Sequence, residues 1–192
     1  APTSYPLECM SVREHKIVVM GPLGAGKSTL VQTLTQGRAV VTEARNTDPS
    51  VGKEYTTVAM DYGDIDLPGG DRLRLYGSPG QNRFSYIWPI LLAGAEGAIV
   101  LVDGSTSVDA TLAGQHLQAI GEHAPSLPVV IGITKCGRTD DPVLPQWQAW
   151  LGEHAPHLPA LPLDPRDMKQ AITAMDLLMS QIECNAMATA HE

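Results

Sequence analysis

The chain has 192 residues, a length that suits one domain, and 43% of them are hydrophobic, an ordinary share for a globular protein. A formal net charge of -8 argues against a nucleic-acid binder, which would have to approach a phosphate backbone of like sign, and a single Phe leaves the core to Val, Leu and Ile. The scattered Cys9, Cys136 and Cys184 form neither a disulfide framework nor a metal-ligand spacing, and with no apolar run of the roughly 18 residues that span a membrane the expectation is a cytoplasmic protein without a direct membrane anchor.

Residues 1–12 carry Pro2 and Pro6 without periodicity and are expected to form a loose arm. Residues 16–20, Lys-Ile-Val-Val-Met, read as a buried strand. Gly21-Pro22-Leu23-Gly24-Ala25-Gly26-Lys27-Ser28 then fits the phosphate-binding pattern G-x-x-x-x-G-K-[ST], and Leu30, Val31 and Leu34 follow at helical spacing. Strand, glycine loop and helix are what phosphate binding requires. Glycines let consecutive N–H groups turn inward, and the helix start adds partial positive charge. Gly24, Ala25, Gly26, Lys27, Ser28 and Thr29 are the expected phosphate contacts, with Lys27 on the β- and γ-phosphates and the Ser28 hydroxyl on Mg²⁺. Leu23 is bulky for its place in the loop.

Residues 38–57 are polar, hold Asn46, Asp48-Pro49 and Gly52, and read as one long loop, a feature that tends to be functional. Residues 56–62 and 72–76 read as two strands joined by a hairpin turn at 67–71, and 77–81 breaks the second. A short helix limited by Pro89 is expected around 85–93, a buried strand at 97–103, a helix at 107–123, a strand at 127–134, a helix at 144–154 with a Trp147/Trp150 stripe, a short strand at 158–163 and a last helix at 167–183. Alternating strands and helices with one hairpin give an α/β fold: a doubly wound, mostly parallel six-stranded sheet with one antiparallel edge strand. Such sheets bind ligands where their strands end at the carboxyl side. The expected organisation is an arm at 1–12, one nucleotide-binding domain at 13–183 and a frayed tail at 184–192.

Over roughly 14–183 these motifs resemble the P-loop NTPases of the small Ras-like GTPase type, with the closest look to bacterial relatives of the gliding-motility polarity GTPases. Five ordered motifs carry the likeness. After Gly21–Ser28 come Thr57, Asp61 and Tyr62, and the resemblance implies that Thr57 ligates Mg²⁺ and that 38–57 is the first switch. Gly77-Ser78-Pro79-Gly80-Gln81-Asn82-Arg83-Phe84 stands for the family's D-T-A-G-Q-E-R-F. By that likeness Gly80 offers its N–H to the γ-phosphate and Gln81 orients the attacking water, Lys27 being the other catalytic group. Thr134-Lys135-Cys136-Gly137 stands for N-K-x-D, with the Lys135 stem against the base, and Asp164-Pro165-Arg166 for S-A-K.

Two departures are plain. Gly77 stands where the family has an Asp that supports Mg²⁺, and Gly137 where an Asp accepts two guanine hydrogen bonds. Asp140 and Asp141 are the nearest acidic residues after Gly137. Arg45 and Lys53 read as solvated loop charges. The resemblance implies a GTP/GDP- and Mg²⁺-binding molecular switch with slow hydrolysis, helped by a GTPase-activating or effector protein, for example a roadblock-type dimer. A non-hydrolysing nucleotide-bound adaptor is the alternative.

Overall fold

The computed structural model describes residues 12–45, 57–105, 110–137 and 142–189, with backbone alone at 42–45, 57–58 and 110. The expectations placed on the arm, on 46–56 with Lys53, and on Asp140 and Asp141 lie outside the described residues. Seven strands form one sheet: β1 (Glu14–Met20), β2 (Val40–Arg45), β3 (Thr57–Asp66), β4 (Arg72–Gly77), β5 (Gly97–Asp103), β6 (Val129–Thr134) and β7 (Ala160–Pro162). Their order is β2-β3-β4-β1-β5-β6-β7. β1, β4, β5, β6 and β7 run parallel, and β3 pairs antiparallel with both β4 and β2.

The α/β, mostly parallel architecture is as the sequence implies, with two corrections. The sheet has seven strands and not six, because 40–45 is a strand where a continuous loop was expected. Its one reversed strand, β3, lies one place in from the edge that β2 forms. β2 leaves no burial alternation to detect: Val40 and Val41 are 57% and 69% exposed.

The central strands carry unbroken apolar runs, residues 17–20, 97–102 and 129–133, because both faces of the sheet are covered. Ile17 and Val19 of β1 join one buried cluster, with α1 (Lys27–Leu34) and the last helix; Val18 and Met20 join the other. That second cluster takes in α2 (Trp88–Leu92), α3 (Ala110–His123) and α4 (Val143–His154). Trp147 is fully buried in it and meets Trp150 edge-on at 5.9 Å, so the tryptophan stripe is a packed face. The last helix, α5 (Met168–Thr189), continues to Thr189 instead of ending at Glu183. Among the described residues no helix is long and apolar enough to cross a membrane.

Candidate functional site

The glycine loop leaves β1 at Gly21, whose φ of 149° and whose approach to Leu101 permit no side chain: a Cβ there would lie 2.6 Å from the Leu101 carbonyl oxygen. Gly26 caps α1 with φ 100°, a left-handed conformation, and a Cβ on it would fall 2.8 Å from Cγ of Pro165. The loop is thus clasped between β5 and the segment after β7. Thr33 Oγ1 donates to the Pro165 carbonyl at 2.7 Å and ties α1 to the same segment. Ala25 is fully buried, while Ser28 and Thr29 at the helix start are exposed to solvent.

Lys27 is the site's most unusual charge. It is 7% exposed, and its Nζ donates to the carbonyl of Pro22 in its own loop at 2.7 Å. Burial pulls its pKa down to about 8, against an opposing pull from Asp61. A buried ammonium that rests on a carbonyl gains strongly from an anion arriving at the helix N-terminus. Ser28 Oγ donates to Oδ2 of Asp61 at 2.5 Å. Asp61 sits on β3 directly opposite Gly77 of β4.

The segment after β4 crosses the mouth of the loop. A Cβ on Gly80 would lie 2.7 Å from Leu23 Cα, 2.9 Å from Leu23 N and 2.8 Å from Lys27 Nζ, so only glycine allows this approach. The Leu23 side chain is 70% exposed. Gln81 is exposed, with extended backbone, and opens the 3-10 segment Asn82–Ile87. The Thr57 backbone begins β3 opposite Arg45; its side chain lies outside the described residues.

Thr134 is fully buried, and its Oγ1 donates to the Ala25 carbonyl at 2.8 Å, stapling β6 to the glycine loop. Lys135 takes a left-handed φ of 55° and sends its Nζ to Oδ2 of Asp103 at 2.8 Å, beside Gly24. Burial pushes the Asp103 carboxyl up, but hydrogen bonds from Lys135 and Ser105 outweigh it and hold the group below its ordinary value. Beyond Lys135 a cleft of 510 Å³ opens between Cys136, Gly137 and Leu144 on one side and Leu163, Asp164 and Gln170 on the other. Pro165, next to it, has no N–H to offer. A larger cleft of 720 Å³ lies at the opposite end of the sheet, among Glu96, Leu127, Pro128 and Ile182, away from every motif residue.

The glycine loop, Gly80, Thr134, Lys135 and Pro165 therefore converge at the carboxyl ends of the strands. Gln81 follows Gly80 on the same rim, exposed to solvent. The sequence reading gave no role to Asp61, although the hairpin turn at 67–71 holds the signal that would have found it.

Fold and site together define a nucleotide-binding P-loop domain of the Ras-like GTPase type. The family described as "Ras of Complex, Roc, domain of DAPkinase" matches residues 16–137, well over half of the chain, and the chain belongs to it. It is similar to an uncharacterized protein of Methanocaldococcus jannaschii, at 31% identity over 52% of this chain and 57% of that one. It is also similar to Ras-related protein Rab-22A of Mus musculus, at 26% identity over 68% of this chain and 64% of that one. The chain thus spans less than two thirds of the length of these curated relatives. Among solved structures it resembles translation elongation factor SelB from Methanococcus maripaludis in complex with a GTP analogue, with TM-score 0.66 and 15% identity over 91% of this chain and 35% of that one. A bacterial selenocysteine-specific elongation factor gives TM-score 0.64 and 18% identity over 88% and 29%. At these identities the structural likeness speaks for the fold alone.

Proposed function

We propose that this protein is a GTP-dependent molecular switch that hydrolyses GTP slowly and is accelerated by a partner protein. The observation that carries the reading is Lys27, a buried cation at a helix N-terminus whose hydrogen bond, among the described residues, goes to its own loop. A phosphate chain supplies the missing anion. Family membership and the GTP analogue named with the SelB relative favour guanine nucleotides. Ser28, with Asp61 behind it, is a donor set that fits Mg²⁺, and Thr57 would join it from the start of β3. When bound, the ion neutralises charge on the β- and γ-phosphates.

The chain's own groups then do the following. Lys27 exchanges the Pro22 carbonyl for phosphate oxygens. Gly80, which already lies against Leu23 and Lys27, presents its N–H to the terminal phosphate and shifts when that phosphate leaves. Gln81 orients water from the exposed rim. A roadblock-type dimer as the activating or effector partner, a cytoplasmic location and a role in bacterial polarity or motility belong to the same proposal. Gly137 and Pro165 favour a second reading, a nucleotide-bound adaptor with relaxed base preference.

Calorimetric titration of nucleotide-stripped protein with GDP, GTP, ADP and ATP, with and without Mg²⁺, tests this. Guanine nucleotides binding at about micromolar Kd or tighter, well ahead of adenine nucleotides, support the switch. Binding without base preference supports the adaptor, and no binding refutes both.

A further inference from the structure

We propose that the carboxylate that supports Mg²⁺ in this chain has moved one strand sideways, and that Asp61 on β3 supplies it in place of the missing side chain at Gly77 on β4. This rests on the reading that the site binds a Mg²⁺-nucleotide.

Asp61 and Gly77 face each other in the antiparallel β3–β4 ladder. Opposed residues of such a pair project from the same face only about 5 Å apart, so a carboxylate borne by either can serve one spot. The volume at Gly77 is taken: a Cβ built there lies 3.2 Å from Cβ and 3.3 Å from Oδ2 of Asp61. The side chain that fills the place of residue 77 is thus Asp61. Its Oδ2 accepts the Ser28 hydroxyl at 2.5 Å, which fixes the hydroxyl proton away from the phosphate side and leaves the oxygen lone pairs for a cation. A neutral hydroxyl is a weak ligand, and a carboxylate behind it raises its donor strength. The second Asp61 oxygen is left to accept from a metal-bound water, the kind of ligand Mg²⁺ keeps. Asp61 also lies close enough to Lys27 to oppose the loss of its proton. A side chain at 77 would press on Asp61, so the glycine leaves the space to that carboxylate.

The test is a positional swap. Wild type, Asp61→Asn, Gly77→Asp and the double variant Asp61→Ala/Gly77→Asp are loaded with a fluorescent GDP analogue, and its release rate is followed against free Mg²⁺. Thermal midpoints without Mg²⁺ show that each variant is folded. Asp61→Asn, which keeps the shape, is expected to raise the Mg²⁺ concentration that half-slows release by about 10- to 100-fold. The release rate without Mg²⁺ serves as each variant's own baseline, against which its Mg²⁺ response is read. Gly77→Asp alone should gain nothing, and the double variant should recover most of the Mg²⁺ response. An Asp61→Asn variant with a wild-type Mg²⁺ midpoint overturns the inference, as does a folded double variant that responds no better than Asp61→Asn. A wild-type protein that binds no nucleotide would instead overturn the reading beneath it.

Discussion

Nucleotide binding should draw a proton from solution above neutral pH, and Lys27 is the group that takes it. In the free protein burial lowers its pKa from the usual 10.5 to about 8. That displacement corresponds to roughly 3 kcal/mol of unfavourable desolvation while the site holds no anion. A phosphate chain returns an opposite charge to the ammonium, so the pKa in the complex should rise to its ordinary value or above. Between the two values the complex holds more protons than the free protein, and affinity falls about tenfold for each pH unit. From about pH 7 to about pH 9 the Kd for GDP should therefore weaken roughly tenfold. Calorimetry in two buffers of different ionisation enthalpy measures the same event directly. Proton uptake should be about 0.1 at the lower pH and approach one at the higher. Lys27→Met should abolish the uptake and weaken binding at every pH. A Kd that stays flat over this range, with heats independent of the buffer, would refute the argument.

At the other end of the sheet His15 is held by Glu96 at 2.6 Å and faces Asp71 at 3.4 Å. The Glu96 hydrogen bond, opposed by burial and aided by Asp71, raises its pKa above 6.5. Its stabilisation is complete below about pH 6.5 and is lost as pH rises through the raised folded value, so the stability advantage of wild type over His15→Gln should shrink as pH rises above about 6.5 in denaturant titrations. Gly26→Ala places a Cβ 2.8 Å from Pro165 at φ 100°; it should cost about 1–3 kcal/mol in unfolding experiments and weaken GDP binding at least tenfold. Gln81→Leu changes an exposed side chain outside the glycine loop, so GDP affinity should stay as it is while single-turnover GTP hydrolysis slows by about 10²-fold.

The phosphate half of the site is legible in the sequence because it is local: eight consecutive residues fix the loop, the helix start and Lys27. What escapes is set by pairing across distance. β2 is exposed on its described faces and carries no alternation. Asp61 marks the second motif in the sequence, but its meeting with Ser28 does not show there. Its role follows from register, since a turn centred on Gly69 sets residues equidistant from it opposite one another, 61 and 77 among them. Thr134 stands in the place of the Asn of N-K-x-D, and what the sequence does not show is that its hydroxyl donates to the Ala25 carbonyl, a contact between residues far apart in the chain.

The two halves of the site hold a ligand by unequal means. Left-handed glycine backbone, a buried ammonium and a carboxylate-backed hydroxyl converge at the N-terminus of α1, where the proposed phosphates would lie. In the cleft beyond Lys135, where the proposed nucleotide would place its base, Asp164 is the one carboxylate among the described lining residues, and Arg166 takes both its oxygens, at 2.9 and 2.8 Å, lowering its pKa to about 2. The Asp164 N–H is given to Gln170. The next residue is Pro165, without an N–H, and Gly137 has no side chain. Losing a charged acceptor at a desolvated site costs about 2–4 kcal/mol. Lys135, anchored by Asp103 beside Gly24, leaves its aliphatic stem as an apolar cover that any purine can use. Affinity must then be concentrated at the phosphate end. On the proposed reading, tight binding should depend on Mg²⁺ more steeply than on the base, and Asp61 and Lys27, rather than the cleft, should decide whether a nucleotide stays.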